Sequence, residues 1–150
     1  MTRFKKNNSA VTLLELLIVL SIMTLIIGLP MVSFGRFSRT AKLNVAAKNV
    51  SAGLRLAKSY AVSAGSDYSF KINTTNLSEF WITDDAAAKT MDDIYELPAT
   101  VTFVSATPET PITFKSSSGK ADVVEITLEN TKGDKKSIKV SNTSGKIIIG

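Results

Sequence analysis

Five carboxylates lie close together in the chain, and oxygen ligands of this kind are the ones that calcium prefers. They are Asp84, Asp85, Asp92, Asp93 and Glu96. Their spacing differs from the Asp-x-Asp-x-Asp-Gly pattern of an EF-hand loop, in which alternate residues converge on one ion. We therefore interpret this acidic cluster as a solvated loop and predict no metal site, with calcium binding as the alternative.

Lysines gather near the C-terminal end of the chain, where cationic side chains could bind phosphate groups. The basic cluster consists of Lys135, Lys136, Lys139 and Lys146. Lysine on an edge strand also prevents unwanted pairing between sheets. Contact with nucleic acid is therefore one hypothesis for this cluster, and protection of a sheet edge is the other.

The composition excludes most kinds of catalytic site. The 150-residue chain has no cysteine and no histidine. It therefore holds no disulfide, no thiolate metal site and no Ser-His-Asp or Cys-His arrangement. No other pair of nucleophile and base is evident in the sequence. We predict a protein that is not an enzyme and needs no cofactor, with a hydrolase as a remote alternative.

Glu15 is the only ionisable side chain in a long apolar run. The run covers residues 11–29, VTLLELLIVLSIMTLIIGL. A helix of this length reaches about 28 Å, close to the thickness of the hydrocarbon core of a bilayer, so we predict a transmembrane helix. A carboxylate there costs on the order of a few kcal/mol unless it finds a partner. Glu15 therefore reaches the headgroups, is protonated, or meets a positive group.

A basic segment precedes the apolar run. Residues 1–10, MTRFKKNNSA, contain Arg3, Lys5 and Lys6 and no acidic residue. Such a segment keeps the N-terminus in the cytoplasm, so the rest of the chain would lie outside the cytoplasmic membrane. A conventional secretory signal peptide is the alternative. It fits less well because the apolar run is long and no small-x-small cleavage site follows it.

The junction of these two segments resembles the processing site of type IV prepilins and pseudopilins. The resemblance lies in Ala10-Val11-Thr12-Leu13-Leu14-Glu15, where the family usually has Gly before the cut and Phe after it. It implies that a prepilin peptidase cleaves between Ala10 and Val11 and that the new N-terminus on Val11 is methylated. It also implies that Glu15 pairs with the N-terminal amine of a neighbouring subunit and sets the register of assembly.

A second helical pattern follows Pro30, which we expect to kink one long helix; a helix end at Pro30 is the alternative. Apolar residues then recur every three or four positions, as on one face of a helix. They are Leu43, Ala46, Ala47, Val50, Leu54, Ala57 and Ala61. Gly53 indicates a close contact, and Gly65 is expected to end the helix.

The remaining sequence changes to a period of two and is rich in Phe, Ile, Val and Thr, which is typical of strands. Seven strands are predicted, at Tyr68–Asn73, Glu79–Thr83, Thr100–Ser105, Ile112–Lys115, Val123–Glu129, Ser137–Ser141 and Lys146–Ile149. Turns are expected at Asn73–Asn76, Lys132–Asp134 and Ser144-Gly145. Phe80 and Trp81 are expected to face opposite sides of their strand.

The predicted fold class is α+β and pilin-like. A long N-terminal helix, transmembrane in its first part, packs on a small C-terminal antiparallel β-sheet. The chain would comprise a cleaved leader (1–10), a transmembrane half-helix (11–29), an amphipathic half-helix (30–65) and an extracytoplasmic β-rich domain (66–150).

The later elements resemble those of GspH/FimT-type minor pseudopilins in particular. The similar pieces are the helix end Leu54–Gly65, the Ile112-Thr113-Phe114 strand before Ser118-Gly119, and the last hairpin from Ser137 to Ile147. This resemblance implies a structural subunit of a type II secretion pseudopilus or a type IV pilus, held in the bacterial inner membrane. Its implied partners are other subunits, the prepilin peptidase, an assembly platform and an ATPase.

A DNA-binding minor pilin of a DNA-uptake system is the alternative function. The FimT type is associated with DNA uptake through a Gly-Arg-x-Arg motif near the last hairpin. The matching residues here are Gly145, Lys146, Ile147 and Ile148, so only the first basic position is kept. An uncleaved membrane anchor with an unrelated outer domain is a third hypothesis.

Mass spectrometry of the N-terminus tests the processing hypothesis. We expect the mature chain to lack residues 1–10 and to begin with a methylated Val11. An intact Met1 in mature protein would reject prepilin processing and favour the uncleaved anchor.

Overall fold

The computed structural model describes residues 12–28, 31–90, 94–107, 111–142 and 144–150. The predicted processing site at Ala10 and Val11 and the predicted kink at Pro30 lie outside the described residues, as do Asp92 and Asp93 of the acidic cluster. The chain divides into two compact units, Met1–Phe37 and Ser38–Gly150.

The first unit contains helix α1, Leu13–Gly28, and the start of helix α2, Met31–Ala64. Thr12 caps α1, because its side-chain oxygen accepts a hydrogen bond from the Glu15 amide at 3.2 Å. An oxygen at this position satisfies one of the amides that a helix start leaves unpaired. Within the described part of the chain, no helix combines the length and the apolar character needed to cross a membrane.

The second unit is built on the rest of α2. The seven residues of the predicted apolar stripe are all buried, and none exposes more than 3% of its surface. The helix ends at Ala64, and Gly65 follows with a φ of +68°, a conformation that glycine adopts without steric cost. The predicted stripe and the predicted helix end are therefore confirmed.

Two antiparallel sheets complete the second unit. Their strands are β1 Tyr68–Ile72, β2 Glu79–Asp84, β3 Lys89–Thr90, β4 Tyr95–Glu96, β5 Val101–Thr107, β6 Ile112–Phe114, β7 Val124–Asn130, β8 Lys135–Val140 and β9 Ile147–Ile149. The first sheet has the order β3-β2-β1-β6, with β4 also paired to β2, and the second has the order β5-β7-β8-β9.

The predicted strands are confirmed, but they form two sheets where one was predicted. All seven predicted strands are present, with ends that differ by one or two residues. The strands β3 and β4 were not predicted, because two-residue strands are too short to show a period of two. The strands form two sheets because β6 pairs with β1, where Tyr68 lies opposite Phe114, while its neighbours in sequence, β5 and β7, pair with each other.

The predicted turns also form as expected. Asn73 accepts hydrogen bonds from the amides of Thr75 and Asn76 through its side-chain oxygen. In the β7–β8 hairpin Gly133 has a φ of +84°, and in the β8–β9 hairpin Gly145 has a φ of +58°. The Asn73 turn connects β1 to β2 of the first sheet, and the two glycine turns fix the register of the second sheet, because a hairpin's turn determines which residues face each other.

Aromatic rings fill the core between α2 and the sheets. The ring centroids of Phe70 and Phe80 lie 4.9 Å apart in a stacked arrangement, and Phe103 of the second sheet meets Phe80 edge-on at 6.3 Å. Trp81 lies on the opposite face of β2 and is half-buried, as predicted. A Cβ atom on Gly53 would lie 2.8 Å from the Phe80 ring and 3.2 Å from the Phe70 ring. The close contact predicted at Gly53 is therefore confirmed.

Replacing Gly53 with alanine tests this close approach. Displacing packed rings costs about 1–3 kcal/mol, whereas alanine adds about 1 kcal/mol of helix propensity over glycine. We expect Gly53→Ala to lower the melting temperature measured by circular dichroism. Asn49→Ala is the matched control, because Asn49 is an exposed residue of the same helix and should gain stability. A melting temperature of Gly53→Ala at or above that of the parent would contradict the packing.

Candidate functional site

The start of α1 carries the one ionisable side chain of that helix. Glu15 lies in the first turn and is exposed. A negative side chain at this place is stabilised by the partial positive charge of the helix N-terminus. Glu15 is the only ionisable residue of α1. The structure thus presents one exposed carboxylate at the beginning of an otherwise uncharged helix.

The surface of α1 is apolar on every side. Its large apolar residues, from Leu13 to Ile27, expose between 46% and 81% of their surface. The two hydroxyl groups bond within the helix: Ser21 donates to the Leu17 carbonyl and Thr24 to the Ser21 carbonyl, each at 2.8 Å. Such internal bonds leave no unsatisfied hydroxyl donor if the helix enters an apolar environment.

The structure disperses the described members of the acidic cluster into strands and turn contacts. Asp84 belongs to β2 and Glu96 to β4. Asp84 accepts a hydrogen bond from the Ser66 hydroxyl at 2.9 Å, and Asp85 accepts one from the Ser69 hydroxyl at 2.6 Å. The bond from Ser66 is the main reason why the pKa of Asp84 lies below its ordinary value. These carboxylates hold the turn after β2.

A metal site does not assemble from these residues. Among the described residues, no three His, Cys, Asp or Glu side chains are grouped so that they could hold an ion. The amides of Ala86 and Ala87 also point at Asp84, at 3.0 and 3.3 Å. Amide donors satisfy a carboxylate in the way a cation would, so Asp84 is already provided with partners.

The basic cluster is divided between the two faces of β8. Lys135 and Lys139 lie opposite Glu129 and Glu125 of β7, and their nitrogens approach those carboxylates to 3.6 and 3.4 Å. Lys136 lies on the other face, where its nitrogen donates to the side-chain oxygen of Asn44 on α2 at 2.7 Å.

Lys146 is exposed just before β9. The four lysines therefore do not form one uncompensated cationic surface, although exposed ion pairs such as those on β7 and β8 are individually weak.

A polar cavity that sequence reasoning missed lies beside the first sheet. It has a volume of about 550 Å³, and Asp67, Asp85, Lys115 and Asp122 are among its lining residues. The Lys115 nitrogen donates to Asp67 at 2.8 Å, and the Ser116 amide donates to the other Asp67 oxygen at 2.8 Å. These partners are almost fifty positions apart in the sequence, so no local motif could have indicated them.

Comparisons with known proteins agree with this architecture. The prokaryotic N-terminal methylation motif matches residues 5–29. No curated protein matches the chain. The minor pseudopilin EpsH from the type 2 secretion system of Vibrio cholerae shares the fold with a TM-score of 0.60 and 12% identity, over 73% of this chain and 96% of its own. The type IV minor pilin FimU of Pseudomonas aeruginosa does so with a TM-score of 0.60 and 20% identity, over 76% of this chain and 92% of its own.

The fold, a helix packed on antiparallel sheets, is therefore shared with a minor pseudopilin and a minor pilin. Together with the N-terminal motif, it confirms the resemblance to the type IV pilin and pseudopilin superfamily, and within it to GspH/FimT-type minor pseudopilins.

The Asp67–Lys115 pair gives a prediction for stability in acid. Lys115 holds the pKa of Asp67 below the ordinary value of 3.8, and the bond from Ser116 adds to this effect. A lowered carboxyl pKa contributes stability that is present above the ordinary value and is lost as the pH falls through the folded value. We expect Asp67→Asn to lower the melting temperature at pH 7 and to reduce the loss of stability below about pH 4.

Asp122→Asn is the control for this experiment. Asp122 lines the same cavity and attracts Lys115 only as a minor electrostatic contributor, without a hydrogen bond or ion pair within the described residues. It should therefore change the acid profile less than Asp67→Asn does. The melting temperature of each variant is measured by thermal denaturation across the pH range. Equal dependence of the melting temperature on pH for the two variants would show that the Asp67 contacts do not stabilise the fold.

Proposed function

We propose that this chain is a minor pseudopilin or minor type IV pilin, a structural subunit that assembles into a filament through its N-terminal helix. The observation that carries the proposal is the combination of the N-terminal methylation motif with α1. The motif match extends over residues 5–29, and α1 presents apolar side chains on all sides with Glu15 as its one ionisable group. An apolar surface of this extent needs lipid or other subunits to cover it.

We propose that the chain is made as a precursor and processed before assembly. A prepilin peptidase would cut between Ala10 and Val11 and methylate the new N-terminus. The basic leader would hold this end in the cytoplasm, and residues 11–29 would anchor the subunit in the inner membrane with the second unit outside the cytoplasm. The internally bonded hydroxyls of Ser21 and Thr24 support an apolar environment for this segment.

The role proposed for Glu15 is electrostatic. Cleavage would free an amine on Val11, which could pair with Glu15 of the next subunit. Opposite charges about 4 Å apart attract by about 4 kcal/mol at an effective dielectric constant of 20, against about 1 kcal/mol in water. The exposed position of Glu15 in the first turn of α1 leaves it accessible to such a partner. The pair would fix how far one helix slides along its neighbour.

We propose that the host of this subunit is a type 2 secretion system or a type IV pilus. The solved structures with this fold include a subunit of a type 2 secretion system and a subunit of a type IV pilus. The DNA-binding alternative would depend on Lys146, which is exposed just before β9, because Lys135 and Lys139 face glutamates and Lys136 bonds to Asn44.

Replacing Glu15 tests the assembly role. We expect Glu15→Ala and Glu15→Gln to reduce the amount of this subunit in sheared filaments at least tenfold, because each removes the charge that would meet the amine. Ser21→Ala is the matched control, because the Ser21 hydroxyl bonds only to its own helix. Mass spectrometry of each variant separates a loss of assembly from a loss of cleavage. Normal incorporation of correctly processed Glu15→Ala would refute the proposed role.

A further inference from the structure

A groove runs along the exposed side of α2 beside the last strand. It has a volume of about 450 Å³, and its walls come from α2 residues between Lys48 and Ser59 and from Ile149 of β9. The apolar part consists of Ala52, Leu56 and Ile149. The groove lies within the second unit and is separate from the polar cavity beside the first sheet.

One wall of the groove carries the free edge of the second sheet. The strand β9 is the last in the order β5-β7-β8-β9. The Ser141 amide donates a hydrogen bond to the Lys146 carbonyl, and the Gly150 amide donates one to the Ser137 carbonyl. These bonds identify which opposite pairs of β8 and β9 are hydrogen-bonded.

In an antiparallel ladder, only alternate residues bond to the neighbouring strand. Ile148 therefore bonds to Lys139 of β8, while the amides and carbonyls of Ile147 and Ile149 point away from β8. Within the described residues these four backbone groups have no partner.

The other wall supplies charge and a free hydroxyl. Lys48 and Arg55 line the groove, both are exposed, and neither forms an ion pair or hydrogen bond with any described residue. Ser51 also lines it, exposes only 3% of its surface, and makes no hydrogen bond within the described chain. The groove thus has two cations, no anion among its lining residues and an unused polar group on an otherwise buried side chain.

These features determine which kind of molecule could bind in the groove. A strand beside β9 would satisfy the amides and carbonyls of Ile147 and Ile149, as in other proteins that bind an extended peptide at a sheet edge. Lys48 and Arg55 lie on the same side of the helix, about 10 Å apart along its axis, and their long side chains can reach acidic residues two or four positions apart, about 7 or 14 Å, on one face of an extended strand. Acidic side chains on the face of such a strand that points toward α2 would meet both cations, and the aliphatic parts of these side chains would pack on Leu56 and Ile149.

We propose that the groove between α2 and β9 binds an extended, acidic polypeptide segment of a partner protein, which joins the second sheet as an additional strand. The free backbone groups of β9 supply affinity, and Lys48 and Arg55 select for negative charge. Nucleic acid is also an anion, but it has no amide backbone to pair with Ile147 and Ile149.

The test uses the full chain in detergent, where no filament is needed, so its failure would leave the assembly proposal intact. The probe is a short fluorescent peptide that alternates Glu with Val, and binding is followed by fluorescence anisotropy. We expect saturable binding. A peptide with the same side chains but with every amide methylated should bind at least tenfold more weakly, because it cannot form the ladder.

Charge reversal supplies the matched variants. Lys48→Glu/Arg55→Glu should bind the peptide at least tenfold more weakly than the parent. Lys89→Glu/Lys132→Glu makes the same change in net charge at exposed lysines away from the groove and should bind within twofold of the parent. Melting temperatures of both variants establish that they are folded.

Several results would overturn the proposal. One is the absence of saturable binding up to about 1 mM peptide. Another is equal binding of the methylated peptide, which would indicate simple ion attraction. Equal loss of binding in both charge-reversal variants would also refute a local site. A single-stranded oligonucleotide of matched charge that binds as tightly as the peptide, with the same dependence on Lys48 and Arg55, would show a general anion site instead.

Discussion

The close approach between α2 and the aromatic rings of the first sheet is the contact on which the second unit depends. The stripe on α2 is rich in alanine, and Gly53 leaves room for the edges of Phe70 and Phe80. Small residues bring a sheet near the helix axis, and each large ring buried there contributes roughly 1.5–3 kcal/mol. Phe103 of the second sheet contacts the Phe80 ring, and residues of both sheets belong to one core.

This core leaves the N-terminal segment with a different task. The buried apolar residues of the described chain run from Leu43 to Ile147, whereas the apolar side chains of α1 are exposed. The fold of the second unit therefore does not require the residues that carry the N-terminal methylation motif. The packing of this core therefore places no constraint on the sequence of α1.

Local patterns predicted the features that depend on neighbours in sequence. The stripe from Leu43 to Ala61, the helix end at Gly65 and the three turns follow from spacing and from glycine and asparagine chemistry. Pairing between distant segments was beyond such patterns. The return of β6 to β1 and the contact of Lys115 with Asp67 depend on how the whole unit packs, and no short motif encodes them.

The basic cluster shows why the net charge of a sequence segment is a poor guide to the charge of the surface that it forms. Lys135 and Lys139 project from the same face of β8, but the hairpin register places them opposite Glu129 and Glu125. Each cation therefore faces a carboxylate at 3.4–3.6 Å, and the charge that the sequence concentrates there is offset across the strands. Lys48 and Arg55 belong to no cluster in the sequence, yet both line the groove beside the last strand and neither has a carboxylate partner among the described residues. The charge that a surface presents thus depends on pairing within the sheet as well as on the density of lysine along the chain.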